Sequence, residues 1–459
     1  MKIYPYYPKP ITNKASMFTR YFKNNRSWLD SLYERSYTMK MGEFKVPLLK
    51  FYIPNEADLV HRVMVTDILK FPKHKLQQEL LNPLLGESIF TSNGSQWKKQ
   101  RELLNPSFEM IQISYVFNLM NEATKDLLQR LAKRDENKYR DIDKEMTFVT
   151  ADIIFRTILS TKLSQEEGNK IVDAFEIFQE ASAKIAMKKL FRIPKIFHKR
   201  SIEKIYNESG QIIRKSLTDI IAPRYDAMLE SKESTHQDIL STLLKVTDKE
   251  TGEPFSMKEI LDQVAMLFLA GHETTASSMT WTLYLFALYP KYQEAAYQEI
   301  MQHCKNEEFT VSNIKKLSFL TNSYKESLRL YPPVNFLIRE NKEKTTMRNK
   351  TLKKGDVVLV SPWLMHRNSR YWDDPHMFNP YRFTNPKDIN KYTYFPFGMG
   401  QRVCIGSGFA MQEAVLLLAS ILREYKLELE PNFTPDIVGR LTTRSLNGMP
   451  IKLIKRLAS

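Results

Sequence analysis

A chain of 459 residues, 42% hydrophobic and 26% charged, is long enough to bury a large core. Its two cysteines, Cys304 and Cys404, exclude a disulfide framework and a zinc site made of cysteines alone, and they fit a reducing compartment. A net charge of +16 admits nucleic acid, an acidic protein or an anionic lipid surface as partner; a lysine-rich solvated face explains it equally well.

No internal repeat and no linker rich in Pro, Gly or Ser interrupts the chain, so one domain over 1–459 is expected. The opening stretch, MKIYPYYPKPITNKASMFTRYFKNNRSWLD, holds no apolar run of signal-peptide length, no cleavage signature and no membrane span. The expectation is a cytoplasmic protein, soluble or at most attached to a membrane surface. Residues 30–65 alternate in places (YTMKMGEFKVPLLKFYI) and predict strands with turns. Residues 66–330 follow a mostly helical pattern. Within them Trp97 and Arg101 stand four apart on one helix face, a spacing that a surface helix with one anchored tryptophan also satisfies. The segment 183–200, AKIAMKKLFRIPKIFHKR, mixes Lys184, Lys188, Lys189, Arg192, Lys195, Lys199 and Arg200 with apolar residues and has no acid. It reads as an interfacial segment or as a solvated basic face.

The stretch 260–288 is apolar around nearly its whole circumference, which means a buried or a membrane-spanning helix. Its polar centre, His272-Glu273-Thr274-Thr275, favours a protein interior, because a carboxylate at a bilayer centre costs about 2.5–3.5 kcal/mol. Ala270 and Gly271 thin the helix beside that centre. Thr274 is placed to bond back to a carbonyl of its own helix and loosen the ladder there. Glu273 and Thr274 then form an acid and a hydroxyl able to relay protons; a kinked core helix with a satisfied carboxylate is the alternative. His272 is expected to pack rather than to bind metal. Glu326 and Arg329, three apart, are set to pair, with Arg382 closing a structural network. The segment KGDVVLVSPWLM (354–365) predicts a turn and a strand. Residues 400–426 predict a helix over GFAMQEAVLLLASILREY, and TTRSLNGMPIKLIKR a hairpin around Asn447-Gly448.

The loop FPFGMGQRVCIG, residues 395–406, holds Cys404 among Gly398, Gly400 and Gly406. A thiolate is a soft metal ligand, glycines let backbone N–H groups approach the sulfur, and the start of the following helix favours an anion. One thiolate without a second cysteine or histidine at ligand spacing suits a metal held mainly by something else, as heme iron is. A buried structural cysteine is the other reading.

Phe397-x-x-Gly400-x-Arg402-x-Cys404-x-Gly406 resembles the heme-binding loop of the cytochrome P-450 family. Three further stretches are similar to signatures of that family, in the same order. Trp97-x-x-x-Arg101 resembles its propionate-binding helix. Ala270-Gly271-His272-Glu273-Thr274-Thr275 resembles its oxygen-activating centre. Glu326-x-x-Arg329 with Pro380-Tyr381-Arg382-Phe383 resembles its structural network. The resemblance runs from about residue 30 to the end. It implies a mainly α fold with small β-sheets and a long central helix over heme b. The activity it implies is a heme-thiolate monooxygenase that inserts one atom of dioxygen into a C–H bond and releases the other as water. Cys404 would be the axial metal ligand; Trp97, Arg101, Ala270, Arg339, Phe397, Arg402 and Gly406 would bind the cofactor; Glu273 and Thr274 would be catalytic. Separate electron donors are implied, an acidic ferredoxin or flavodoxin with its reductase, steered to Lys98 and Lys99. The spelling of the motifs resembles a long-chain-hydroxylating, microsomal-like branch, in a soluble, bacterial-type member. Residues 84–92, 175–200, 264–275, Val334–Ile338 and Leu446 would face a lipophilic substrate, such as a fatty acid, a terpenoid or a carotenoid-like molecule. Segment 183–200 would form a flap with peripheral membrane contact as an option, and no nucleic-acid partner is expected. Two other functions compete: a peroxide-driven peroxygenase on the same fold, and a non-enzymatic basic helical binding protein.

Overall fold

The computed structural model describes residues 3–12, 27–46, 49–190, 200–232, 236–248, 252–305 and 307–456. Among these, helices dominate and the strands form small sheets. Among the helices around the interior are α1 (Lys75–Leu85), α2 (Gly94–Leu104), α3 (Ile142–Leu159), α4 (Gln165–Leu190), α5 (Arg200–Leu229), α6 (Met257–Leu288), α7 (Ser318–Leu330) and α8 (Ser407–Glu424).

The central helix α6 starts at a reciprocal cap. Ser256 Oγ accepts from Glu259 N at 3.3 Å, and Glu259 Oε2 accepts from Ser256 N at 2.9 Å. It then runs 32 residues, about 48 Å at the α-helical rise, and Pro290 opens the next helix straight after Tyr289. Its side chains are buried on nearly all sides. α3 lies along it, with Thr150 Oγ1 donating to His272 O at 3.0 Å. A Cβ added at Gly271 would sit 2.4 Å from Ile154 Cδ1, so the missing side chain lets α3 and α6 approach.

Strands β1 (Met41–Val46), β2 (Leu49–Pro54), β3 (Leu337–Glu340) and β4 (Val357–Val360) form one sheet in the order β1-β2-β4-β3, with β2 parallel to β4 and the other pairs antiparallel. A separate apolar core joins Tyr52, Val358 and Val360 of this sheet to Phe395 and Met399 of the glycine-rich loop. The sheet therefore supports that loop from below, and it supplies Arg339 from β3.

Two local expectations are corrected. Residues 443–455 do not form a hairpin around Asn447-Gly448. Of the four later strands, β5 (Tyr425–Leu429) and β8 (Pro450–Lys455) pair with each other, β8 also pairs with Arg140–Asp141, and β6 (Ile437–Gly439) pairs with β7 (Thr443–Ser445). The reason is Asn447. Its Oδ1 accepts from Asp436 N at 2.8 Å and its Nδ2 donates to Thr434 O at 3.0 Å, which ties the corner to the 434–436 loop instead of to β8. Gly448, at φ 72°, then turns the chain away, and Met449 N donates to Asp141 Oδ1 at 2.9 Å. In 354–365 the strand stops at Val360. Ser361 Oγ accepts from Leu364 N at 3.1 Å, and with Pro362 in the first turn the next four residues become a short helix.

Among the described residues no helix is long and apolar enough to cross a membrane. Of the basic segment 183–200, residues 191–199 lie outside the described residues, including Arg192, Lys195 and Lys199.

Candidate functional site: a cavity between a cysteine loop and the central helix

A cavity of about 1510 Å³ separates the 395–406 loop from the middle of α6. The loop is held at both ends. Phe395 N donates to His366 Nε2 at 3.0 Å, and Cys404 N donates to Phe397 O at 2.8 Å. Gly398 and Gly400 take left-handed φ values of 72° and 66°, and a Cβ on Gly400 would meet Met64 O at 2.8 Å. Gly406 is the N-cap of α8, and its N–H reaches the Cys404 sulfur. The thiol is open to the cavity although the loop lies deep in the protein. Burial pushes the Cys404 thiol up, partly offset by the Gly406 N–H and the Arg101 charge.

Four cations stand on the same lining: Lys73, Arg101, Arg339 and Arg402. Arg101 Nη1 donates to Val403 O at 2.7 Å, next to the cysteine. Arg402 Nη1 donates to Phe71 O at 3.3 Å, and its guanidinium lies 5.7 Å from the Trp97 ring centre. Lys73 Nζ donates to Ile89 O at 2.5 Å and Ser92 O at 3.1 Å. Arg339 Nη1 donates to Ile338 O at 3.0 Å. Among the described residues no carboxylate forms an ion pair with any of the four, and Nε of both Arg339 and Arg402 is buried without a partner. Burial, with Arg402 close by, pushes Arg339 down to about 9. Burial first, and then Arg402, Arg339 and Arg101, hold Lys73 far below the usual lysine range. Uncompensated positive charge of this kind is costly unless a buried anion meets it. The two propionates of a heme supply such an anion, and the cysteine facing the same space supplies an iron ligand, so the residues present fit that group.

On the opposite wall Ala270, Gly271, Glu273 and Thr274 line the cavity, whereas His272 does not. His272 Nδ1 lies 2.7 Å from Phe268 O and its ring stacks on Phe268. Thr274 Oγ1 donates to Ala270 O at 2.6 Å. The stretch stays α-helical, with the small Ala270 beside the cavity and its carbonyl taking the expected back-bond from Thr274. Glu273 is buried and held: Thr442 Oγ1 and Arg444 Nη2 each donate to it at 2.5 Å, and Arg444 Nε at 3.2 Å. Arg444 Nη1 also donates to Asp143 Oδ1 at 2.5 Å. Burial alone would raise Glu273, but the charge and hydrogen bonds of Arg444 outweigh it and keep the carboxyl below its ordinary range. Asp143, where burial prevails over the same arginine, stays above its own.

A support network lies behind the loop. Arg329 Nε and Nη2 donate to the two oxygens of Glu326 at 2.6 and 2.8 Å, both residues being fully buried, and Arg382 Nε reaches Glu326 Oε1 at 3.2 Å. Arg329 Nη1 donates to His366 O at 2.7 Å, and His366 in turn holds Phe395. The chain from Glu326 to the cysteine loop is therefore continuous. Trp97, Phe397 and Gly406 line the cavity as well. Lys98 pairs with Glu102 at 3.9 Å and Lys99 pairs with Asp248, so the charge of this proposed docking face is partly neutralised.

Sequence reasoning missed Lys73, Thr442 and Arg444. None of them belongs to a recognisable spacing, and each reaches its partners only through the tertiary fold.

Comparison with known proteins agrees with this geometry. Residues 7–451 match the cytochrome P-450 family model. The chain is 30% identical over 416 residues to cytochrome P-450 72A397 of Kalopanax septemlobus, covering 87% of this chain and 78% of that protein. It is 27% identical over 427 residues to an ultra-long-chain fatty acid omega-hydroxylase of Homo sapiens (89% and 80%) and 28% identical over 433 residues to cytochrome P-450 4V2 of Rattus norvegicus (90% and 81%). Such enzymes use heme iron, dioxygen, redox partners and lipophilic substrates, which sets aside a non-enzymatic binding protein. A family match along nearly the whole chain, on a fold that brings a glycine-loop cysteine, four unpaired cations and a small-residue helix centre to one cavity, leads to one conclusion: the chain belongs to the cytochrome P-450 family and is a heme-thiolate monooxygenase.

Proposed function

We propose that this enzyme hydroxylates a lipophilic substrate of the fatty-acid, terpenoid or carotenoid-like kind, with Cys404 as the residue that would bind the iron of a heme b taken up in the cavity. The observation that carries the reading is the shared lining: one cavity is bounded by Cys404, by the cations Lys73, Arg101, Arg339 and Arg402, and by Ala270 and Thr274 of α6. When bound, the heme supplies dioxygen activation, and the thiolate's electron donation favours O–O cleavage. The chain supplies the rest. Arg101, Arg339, Arg402 and Lys73 would hold the propionates, with Trp97 beside Arg402. Phe397 packs on the sulfur side, and Gly406 N–H stabilises the thiolate. Ala270 leaves room on the other side. Glu273, kept ionised by Arg444, accepts a proton and passes it to the Thr274 hydroxyl. An acidic ferredoxin or flavodoxin with its reductase fits the net charge of +16. A cytoplasmic location, with peripheral membrane contact through 183–200, completes the proposal.

Thr274→Ala tests the relay. The heme content and its visible spectrum should stay as in the wild type, while consumed electrons appear as hydrogen peroxide instead of product. Undisturbed coupling in that variant would remove Thr274 from the relay.

A further inference from the structure

Arg367 stands just after the short helix Pro362–Met365, away from the cavity lining, and is only 2% exposed. Its guanidinium lies 3.7 Å from the centre of the Trp363 ring and 5.7 Å from that of Tyr331. Among the described residues no carboxylate forms an ion pair with it, and its Nε and Nη1 are buried without a hydrogen-bond partner. The stretches 1–2 and 13–26, which lie outside the described residues on either side of Tyr7, contain no Asp or Glu. Burial pushes Arg367 down to about 10, which still leaves it charged at neutral pH. The face of Trp363 offsets part of the cost of that charge but accepts none of its N–H groups in the way an anion would. Other donors surround the same place. Trp363 Nε1 donates to the Tyr37 hydroxyl oxygen at 3.0 Å, which leaves the phenol hydrogen for another acceptor. Burial raises Tyr37 in spite of Arg367, so it is neutral and is not the counter-charge. His376 stacks on Tyr7 with ring centres 4.1 Å apart and meets Tyr37 edge-on at 5.9 Å, and its Nδ1 is buried without a partner. Burial first, and then Arg367 and Arg329, lower His376 to about 4, so its ring is neutral too. The charged groups nearby are engaged elsewhere: Arg329 with Glu326, and Asp374 with the Tyr4 hydroxyl at 3.2 Å.

We propose that Arg367, with Tyr37 and His376 as further donors, binds a small monovalent anion, a halide such as chloride. One uncompensated positive charge asks for one negative charge. The walls are the rings of Trp363, Tyr331, Tyr7 and His376, whose positive edges suit a bare halide better than a large, strongly hydrated anion. The site joins the N-terminal segment and residues 34–37 to the stretch 363–376. Its arginine directly follows His366, whose Nε2 accepts from Phe395 N of the cysteine loop. Anion binding would therefore stabilise the scaffold behind that loop, whatever the substrate is.

Thermal melts of the heme-loaded full chain in potassium chloride and in potassium gluconate, at equal pH and ionic strength, test this. The melting temperature should rise as chloride replaces gluconate and level off once the site is filled. Tyr37→Phe, which loses only the hydroxyl, should need severalfold more chloride for half of that rise. Arg367→Met removes the charge and with it the need for an anion, so it should melt at the same temperature in both salts. A bromide-soaked crystal of the wild type gives a readout that needs no variant to fold: an anomalous-scattering peak is expected beside Arg367 and Tyr37. Equal melting of the wild type in the two salts overturns the proposal. So does an ordered water alone at that position in the bromide crystal, or a chloride response that Arg367→Met keeps in full.

Discussion

Glu273 shows how far a residue's surroundings decide its chemistry. A carboxyl on an apolar helix would ordinarily be neutral, yet Arg444, which it shares with Asp143, keeps it ionised. Removing one partner of a buried pair leaves the other uncompensated, at about 3–5 kcal/mol. Arg444→Met should therefore lower the melting temperature sharply at neutral pH. Because Glu273 lies below its ordinary value in the fold, its pairing stabilises above the unfolded carboxylate range and is lost as pH falls through the folded value. The gap between variant and wild type should thus narrow on acidification, as thermal melts at several pH values will show. Glu413 is the opposite case. It is fully buried on α8, and burial, opposed only by a hydrogen bond with Thr275, holds it well above the carboxylate range. The folded state then keeps a proton that the unfolded state releases, so stability is lost as pH rises from the unfolded value of about 4.3 toward the folded one. Glu413→Gln should remove that loss: melting curves from pH 5 to 8 should show the variant gaining on the wild type, whereas parallel profiles would contradict the assignment. Neither Arg444 nor Glu413 was legible beforehand, since a lone Arg in TTRS and a lone Glu in MQEAV carry no spacing that names a partner.

At the scale of elements, the long helix announced itself because its apolar residues cover every face and only a buried helix tolerates that. Its purpose at Gly271 was less visible. The glycine lets α3 pack closely, with Ile154 Cδ1 filling the space, and Ala270 is the residue that thins the wall. Gly271→Ala should cost about 1–3 kcal/mol by overpacking. Ile154→Val, which deletes Cδ1, should recover much of that in the double variant, so a double-mutant cycle by chemical denaturation should give a favourable coupling. Additive costs would show that the helix pair adjusts elsewhere. The C-terminal strands were misread for a physical reason: Asn447-Gly448 is a strong local hairpin signal, but Asn447 spends its side chain on Asp436 and Thr434, and long-range pairing sends β7 and β8 to different sheets. Ser361-Pro362 was a helix start hidden in an apolar run.

Across the whole molecule, the cavity draws its lining from residues as far apart as Ser27 and Leu446. The motif residues Trp97, Arg101, Ala270, Phe397, Arg402 and Cys404 were legible because cofactor chemistry demands fixed residue types at fixed spacing, and all of them reach this one space. Lys73 was not, because a cation that needs only to point at an anion can come from any nearby loop. Everything turns on sulfur bonding to iron. The most direct measurement is the visible spectrum of the heme-loaded, reduced protein under carbon monoxide, wild type against Cys404→Ser. A strongly red-shifted main band in the wild type, absent from the variant, is the predicted result; a band of the ordinary imidazole-ligated kind in the wild type, or one that the substitution leaves unchanged, would contradict it.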